Sequence, residues 1–330
     1  MVWDLVLLSE TAAIVLAAGK STRMKSDLPK VLHEICGRPM LGFVLDACRR
    51  AGVDRLIVVV GHGKQQVRDR FETFDGVTWV EQPEQKGTGH AVCCCQEALA
   101  GFSGSVLVVA GDMPLVCGES LVELLQRRVQ SGDALSLATT ELNEPAGYGR
   151  IVRDSRGRLT AIVEDRDCTD QQRAIREVNP SYYCFEAESL WQALDRVTPH
   201  ASSGEVFLTE TVRVLKDMGR KVSADVPVAA EDATGINTRL DLATVNRLMQ
   251  DRIQLSLMND GVTIVDPDNT WIDSGVTIGR STTIYPFSFI GTGARIGEGC
   301  RIGPFACLTS GATVPSGTAC GSVDRRGAGL

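Results

Sequence analysis

The run Leu16-Ala17-Ala18-Gly19-Lys20-Ser21-Thr22-Arg23-Met24, continued by Ser26-Asp27-Leu28-Pro29-Lys30, places three cations around a turn of small residues. Glycine with small neighbours lets backbone N–H groups approach a phosphate or a base closely. Lys20, Arg23 and Lys30 then supply positive charge around one anion. Phosphoryl-type transfer needs this, because charge on the transferring group must be spread and the leaving group stabilised. The spacing fits neither GxxxxGK[ST] nor GxGxxG, which excludes a P-loop and a dinucleotide-fold fingerprint. By residue type alone, a basic glycine loop reads equally well as a solvated turn. A second candidate is Asp112, which ends the apolar run SVLVVAGD (105–112). By itself, a lone carboxylate at the end of a strand can merely cap the following turn.

These residues need a frame. Residues 11–235 alternate β-rich runs with helical stretches. The runs are AAIVLAAG (12–19), RLIVVVG (55–61), VTWVEQ (77–82), SVLVVAGD (105–112), ALSLATTEL (134–142) and REVNPSYYCF (176–185). Near-continuous Val/Ile/Leu runs suit a sheet covered on both faces. LGFVLDACRRAG (41–52) and KQQVRDRFETF (64–74) carry apolar residues at helical spacing. The alternation predicts an α/β domain with a doubly wound, mostly parallel sheet and a ligand beyond the carboxyl ends of its strands.

Residues 238–260 predict one connecting helix with an apolar stripe of Leu240, Leu242, Val245, Leu248, Met249, Ile253 and Leu257, and Gly261 as its C-cap. Beyond it the pattern changes. No lysine follows, and eleven of the 33 glycines lie between Gly261 and Gly321. VTIGRS (276–281), ARIGEG (294–299) and CRIGPF (300–305) align Ile278, Ile296 and Ile302, each followed by glycine. Aliphatic-Gly repeats at period six predict a short parallel β-helix; an antiparallel domain with glycine turns is the alternative. The open end of a short stack predicts association with other chains. The expected organisation is a first domain over 1–237, a linker helix over 238–261, and a β-helix with tail over 262–330. The final SVDRRGAGL reads as a frayed tail.

A chain of 330 residues agrees with two domains. The net charge of −7 does not suit sequence-independent binding to nucleic acid or to an anionic membrane, yet permits a local basic pocket. Eleven cysteines, three of them consecutive at 93–95 and none in a CxxC pair, argue against a structural zinc site or a disulfide framework. They read as reduced, small hydrophobes. The N-terminal MVWDLVLLSE lacks the basic start of a signal peptide, and no apolar run is long enough to span a bilayer. A cytoplasmic location is expected.

The segment 16–30 as a whole resembles the signature of sugar-nucleotide pyrophosphorylases. More specifically, it resembles the bacterial family of bifunctional N-acetylglucosamine-1-phosphate uridylyltransferase/glucosamine-1-phosphate acetyltransferases. VGHG (60–63), EQPEQKGTGHA (81–91), GDMPL (111–115), PAGYGRIV (145–152), IVEDRDCTDQQRAIREVN (162–179) and GIN (235–237) follow in matching order. The resemblance covers about 225 residues, the nucleotidyltransferase half of that family. It implies the conversion of UTP and N-acetylglucosamine 1-phosphate into UDP-N-acetylglucosamine and pyrophosphate, without a covalent intermediate.

The resemblance assigns roles residue by residue. Arg23 and Lys30 match the catalytic positions, with Lys30 also on the nucleotide. Ala17, Gly19, Gln82, Gly87 and Thr88 match nucleotide-binding positions; Gln offers both a donor and an acceptor to a uracil edge. Gly149, Glu164 and Asn179 match sugar-binding positions. Asp112 and Asn237 match the ligands of Mg²⁺, a cation that takes few protein oxygens and completes its shell with phosphate and water.

Three departures stand out. The family's Asn-Thr-Gly is Asn179-Pro180-Ser181 here, Ala110 stands where a larger polar residue is common, and the stretch 204–210 reads Gly-Glu-Val-Phe-Leu-Thr-Glu. They bear on sugar identity more than on nucleotide or reaction class, so a related transferase using another sugar phosphate or NTP is the nearest alternative. A non-catalytic nucleotide-sensing protein is the other. In the family a long left-handed β-helix carries the acetyltransferase and trimerises. Nothing matching the acetyltransferase residues occurs in this sequence, so that activity is expected to be absent, while a homotrimer through the β-helix stays open.

Overall fold

Strands that end in Ala17, Val60 and Ala110 lie side by side, and their Val, Ile and Leu side chains are almost all buried. The structure, a computed structural model, describes residues 10–20, 22–201 and 203–321. In chain order its elements begin with β1 (Thr11–Ala17), the short β2 (Glu34–Ile35) and β3 (Arg38–Pro39), α1 (Met40–Arg50), β4 (Arg55–Val60) and α2 (Lys64–Arg70). There follow β5 (Val77–Glu81), α3 (Thr88–Cys93), β6 (Ser105–Ala110), α4 (Gly118–Ser131), β7 (Leu135–Glu141), β8 (Gly149–Arg153) and β9 (Leu159–Val163). The set continues with α5 (Asp170–Arg173), β10 (Glu177–Asn179), β11 (Tyr182–Glu186), α6 (Ala187–Leu194), α7 (Glu210–Asp217), β12 (Val222–Pro227) and α8 (Arg239–Asn259).

The chain divides into two units. The first, residues 1–32 and 40–237, is built on a ten-stranded sheet of order β5-β4-β1-β6-β11-β7-β10-β8-β9, with β12 beside β7. Pairing is parallel from β5 through β6 and between β7 and β12, and antiparallel from β6 through β11 to β9. The chain runs from β1 to β4 and β5 on one side, then returns to β6 on the other. The crevice beyond the carboxyl end of β1 is thus a topological switch point, where ligands bind in open α/β sheets.

The sequence run 176–185 is not one strand. Pro180 and Ser181 break it into β10 and β11, with Ser181 at φ +62°. Proline cannot donate to a ladder, so Asn179 pairs with Gly149 while Tyr182 pairs with Val109 of β6.

The second unit comprises residues 33–39 and 238–330. Three parallel ladders make its prism: 263–264, 283–284, 301–302 and 319–320; 270–272, 288–290 and 307–308; 277–278, 295–296 and 313–314. Ile278 stacks on Ile296 in one ladder, whereas Ile302 belongs to the next face; all three point into a core of Ile, Leu and Val. The tail 322–330 and the N-terminal 1–9 lie outside the described residues.

Helix α8 covers the first coil differently from the stripe expected. Thr238 caps it in a reciprocal pair with Asp241, and Val245, Met249 and Leu257 are buried, but Leu240 is 76% exposed. Its contact face includes two glutamines, Gln250 and Gln254, each 3% exposed. The strand 270–272 is the edge of its ladder. The Gln250 amide accepts from Ile272 N (3.0 Å) and donates to Ile272 O (2.6 Å), and Gln254 Nε2 donates to Thr270 O (2.9 Å). These amides pair the edge as a further strand would. Gln250→Leu should therefore cost about 3 kcal/mol, since two buried backbone groups lose their partners. A drop in the urea midpoint, followed by fluorescence in a variant whose other tryptophans are replaced by phenylalanine so that Trp271 alone reports, checks it.

Among the described residues no helix is long and apolar enough to cross a membrane. All eleven cysteines are free thiols. Burial pushes Cys36 up to about 11, and Cys48 and Cys184 up to about 12, so these thiols stay protonated and act as small hydrophobes.

Candidate functional site

The candidate site lies in the first unit, at the carboxyl ends of its parallel strands. Lys30 Nζ donates to Asp112 Oδ2 in an ion pair and to Asn237 Oδ1 at 3.2 Å. Arg23 NH2 donates to the same Asn237 oxygen at 2.9 Å. Four residues from three distant parts of the sequence thus meet at one point. The Lys30 and Asp112 side chains are 13% and 23% exposed, enough for a ligand to reach them.

Each is held by its element. Asp112 follows β6 and Gly111, and its carbonyl accepts from Ile236 N at 3.0 Å, which brings Asn237 to it. Tyr148 fixes the same segment: its hydroxyl donates to Ala233 O (3.0 Å) and accepts from Gly235 N (3.3 Å). Tyr182, fully buried, donates to Asp232 O at 2.6 Å.

The residues that match nucleotide-binding positions of the family gather around the end of β1. Gln82 is 5% exposed; its backbone N–H donates to Val60 O (2.8 Å), and its side-chain amide donates to Gly87 O (3.0 Å) and meets His90 Nδ1 (3.1 Å). Gln85 Nε2 donates to Ala18 O at 2.8 Å, laying the 82–89 loop beside Ala17 and Ala18. Gly87 has φ +98°, and a Cβ there would lie 2.5 Å from the Val206 carbonyl oxygen, so only glycine fits. Thr88 Oγ1 accepts from Leu208 N at 3.0 Å. Gly19 is exposed, and a Cβ on it would meet no neighbour within 4 Å, leaving its backbone open to a ligand.

The residues that match sugar-binding positions of the family lie together on the antiparallel half. Asn179 sits opposite Gly149, and Glu164 follows β9, the strand paired with β8. Asn179 is 4% exposed; its Nδ2 donates to Tyr183 Oη (2.5 Å) and its Oδ1 accepts from Ser181 N (3.0 Å). Glu164 Oε1 accepts from Thr209 Oγ1 at 2.8 Å, and burial raises the carboxyl above its ordinary value.

Residues 13–182 match the MobA-like NTP transferase domain. The chain belongs to that family. Residues 275–310 match the six-repeat bacterial transferase hexapeptide. The chain is similar to the bifunctional protein GlmU of Geobacter metallireducens, at 43% identity over 279 residues, covering 84% of this chain and 59% of that protein. It is similar to the bifunctional protein GlmU of Pelotomaculum thermopropionicum, at 43% over 279 residues, 84% of this chain and 61% of that protein. With that of Streptomyces avermitilis it shares 44% over 278 residues, 83% of this chain and 58% of that protein. The chain therefore spans between 58% and 61% of the length of these relatives. They are named bifunctional, and so give no support to the expectation that an acetyltransferase activity is absent.

In this member of the family, the residues that position others carry no sequence signal of their own. Tyr148 stands beside Gly149 in PAGYGRIV, and its role needs the 232–237 segment to be folded against it. Gln85 and Thr209 likewise act through partners far away in sequence.

Proposed function

We propose that this chain is a uridylyltransferase that makes UDP-N-acetylglucosamine and pyrophosphate from UTP and N-acetylglucosamine 1-phosphate. The observation that carries the reading is the meeting of Arg23, Lys30, Asp112 and Asn237 at one point of an NTP transferase domain. The names of the relatives and the polar side chains at Gln82 and Glu164 support the substrate pair. A phosphate oxygen of the sugar phosphate forms a bond to the α-phosphorus of UTP, and the bond from that phosphorus to the pyrophosphate oxygen breaks. Arg23 and Lys30 bind and orient the triphosphate and offset its growing charge, the former as a planar fork and the latter as a point charge. Gln82 and the Gly87–Thr88 backbone orient the uracil; Gly149, Glu164 and Asn179 orient the sugar, so that attacking oxygen and phosphorus are aligned before reaction.

The donor set fits Mg²⁺. Asp112 and Asn237 present one carboxylate and one amide oxygen, both hard donors, and both reach the same Lys30 ammonium, so they can face one cation. Asp112 and Asn237 would hold the ion, and a cation held there would supply positive charge to offset the negative charge of the phosphates. We take residues 1–237 as the transferase domain, 238–261 as the linker and 262–330 as β-helix and tail, with a cytoplasmic location and a homotrimer through the β-helix as the working assembly.

Pyrophosphate release across a matrix of NTPs and sugar 1-phosphates tests the reading. UTP with N-acetylglucosamine 1-phosphate should rank first; any other best pair overturns it. The Pro180–Ser181 turn, which ties up the Asn179 oxygen, favours as second reading a transferase of the same class with another sugar.

A further inference from the structure

Residues 204–209 form a strap across the first unit. Val206 N donates to Lys86 O (2.8 Å), and Val206 O accepts from Gly89 N (2.8 Å). Leu208 N donates to Thr88 Oγ1. Glu205 takes the Arg166 guanidinium at 3.0 Å, and that guanidinium lies 4.6 Å from the Phe207 ring centre. The strap thus holds the nucleotide-side loop at one end. At the other end stands Thr209, the N-cap residue of α7.

Thr209 is unusual for its place. A threonine at an N-cap ordinarily accepts a hydrogen bond from a backbone N–H of the first turn, which is why the residue type is preferred there. Thr209 makes no such bond. Its hydroxyl, 7% exposed as a residue, donates to Glu164 Oε1 at 2.8 Å. Its backbone is already helical (φ −57°, ψ −29°), so the hydroxyl has no capping duty, and the carboxylate gains a fixed orientation with Oε2 left for a ligand.

We infer that Thr209 is a positioning residue for sugar recognition: it holds Glu164 in the orientation that meets the sugar and ties that orientation to the strap on the nucleotide loop. The inference rests on the sugar-side reading of Glu164. Burial raises the Glu164 carboxyl, while the Thr209 bond and the Arg166 charge draw it down; Asp167 on the same turn and Glu210 of α7 push it up. Tyr183 of β11 also faces it. Removing the Thr209 bond therefore raises the Glu164 pKa further, and an activity that needs the carboxylate loses its acid limb at higher pH.

Steady-state kinetics of Thr209→Val, Thr209→Ser and Glu164→Ala, with melting curves, test this. Thr209→Val should raise the KM for N-acetylglucosamine 1-phosphate roughly tenfold, as for a lost bond to a charged group. The KM for UTP should stay within about twofold of the parent value, on the same argument. Its kcat/KM for the sugar phosphate should fall off at higher pH than in the parent. Thr209→Ser should restore both, and the melting curves should show every variant cooperatively folded at the assay temperature, so that the kinetics report on folded protein. Equal rises in both KM values, an unmoved acid limb, or failure of serine to rescue overturns the inference. If Glu164→Ala raises the sugar KM and Thr209→Val does not, the positioning role alone fails. If Glu164→Ala leaves the sugar KM unchanged, the sugar-side reading fails and takes the inference with it.

Discussion

Asp112→Ala should lower kcat for pyrophosphate release by about 10²- to 10³-fold and leave the fold in place. The carboxylate faces the Lys30 ammonium at the meeting point. Its position is set by the backbone: β6 is buried on both faces, and the Asp112 carbonyl holds Ile236 N. Alanine keeps both, so the melting curve should stay cooperative. The pair is only 13% and 23% exposed, so its loss costs on the order of 1–3 kcal/mol, which leaves a domain of ordinary stability folded. Loss of turnover without loss of fold therefore reports on the chemistry. Mn²⁺ binding followed by electron paramagnetic resonance gives an independent reading: the variant should bind the ion weakly or not at all. A kcat close to the parent value would remove Asp112 from the site.

The sequence made some of this legible for clear physical reasons. Strands buried on both faces need continuous apolar runs, so β1, β4 and β6 stood out. Asp112 followed, because a carboxylate at the end of such a run is conspicuous. Asn237 has no local signal of its own. Its place depends on Tyr148 and on the Asp112 carbonyl, contacts that exist only once the sheet has formed, and the resemblance of GIN to a family motif was what pointed to it. The helix α8 illustrates the reverse. Periodicity favoured Leu240, but the partner surface is a strand edge with unpaired backbone groups, and such an edge selects Gln250 and Gln254 over leucine. No hydrophobic pattern carries that information. Thr209 carries no local signal either: its hydroxyl serves a carboxylate 45 residues earlier.

Lys30→Met is expected to cost as much turnover as the loss of Asp112, yet to move cation binding the opposite way. Methionine keeps most of the buried stem and removes the charge. Without that charge the triphosphate loses a point of attraction that Arg23 cannot replace, since its guanidinium is a wide fork already turned to Asn237. A fall in kcat/KM for UTP of about 10²- to 10³-fold follows, as when one electrostatic clamp of a transition state is removed. In the structure, however, Lys30 occupies the oxygens of both Asp112 and Asn237. A divalent cation seeking those oxygens must displace an ammonium. Removing the ammonium removes the competitor and leaves two hard donors facing one point. Mn²⁺ without nucleotide should therefore bind Lys30→Met more tightly than the parent, while UTP binds it more weakly. Lys30→Arg should rescue neither property, because a planar fork cannot direct its donors to two oxygens as a compact ammonium does. If Lys30→Met weakens Mn²⁺ binding, the lysine and the cation do not share their oxygens, and the Asp112–Asn237 pair is not the metal site.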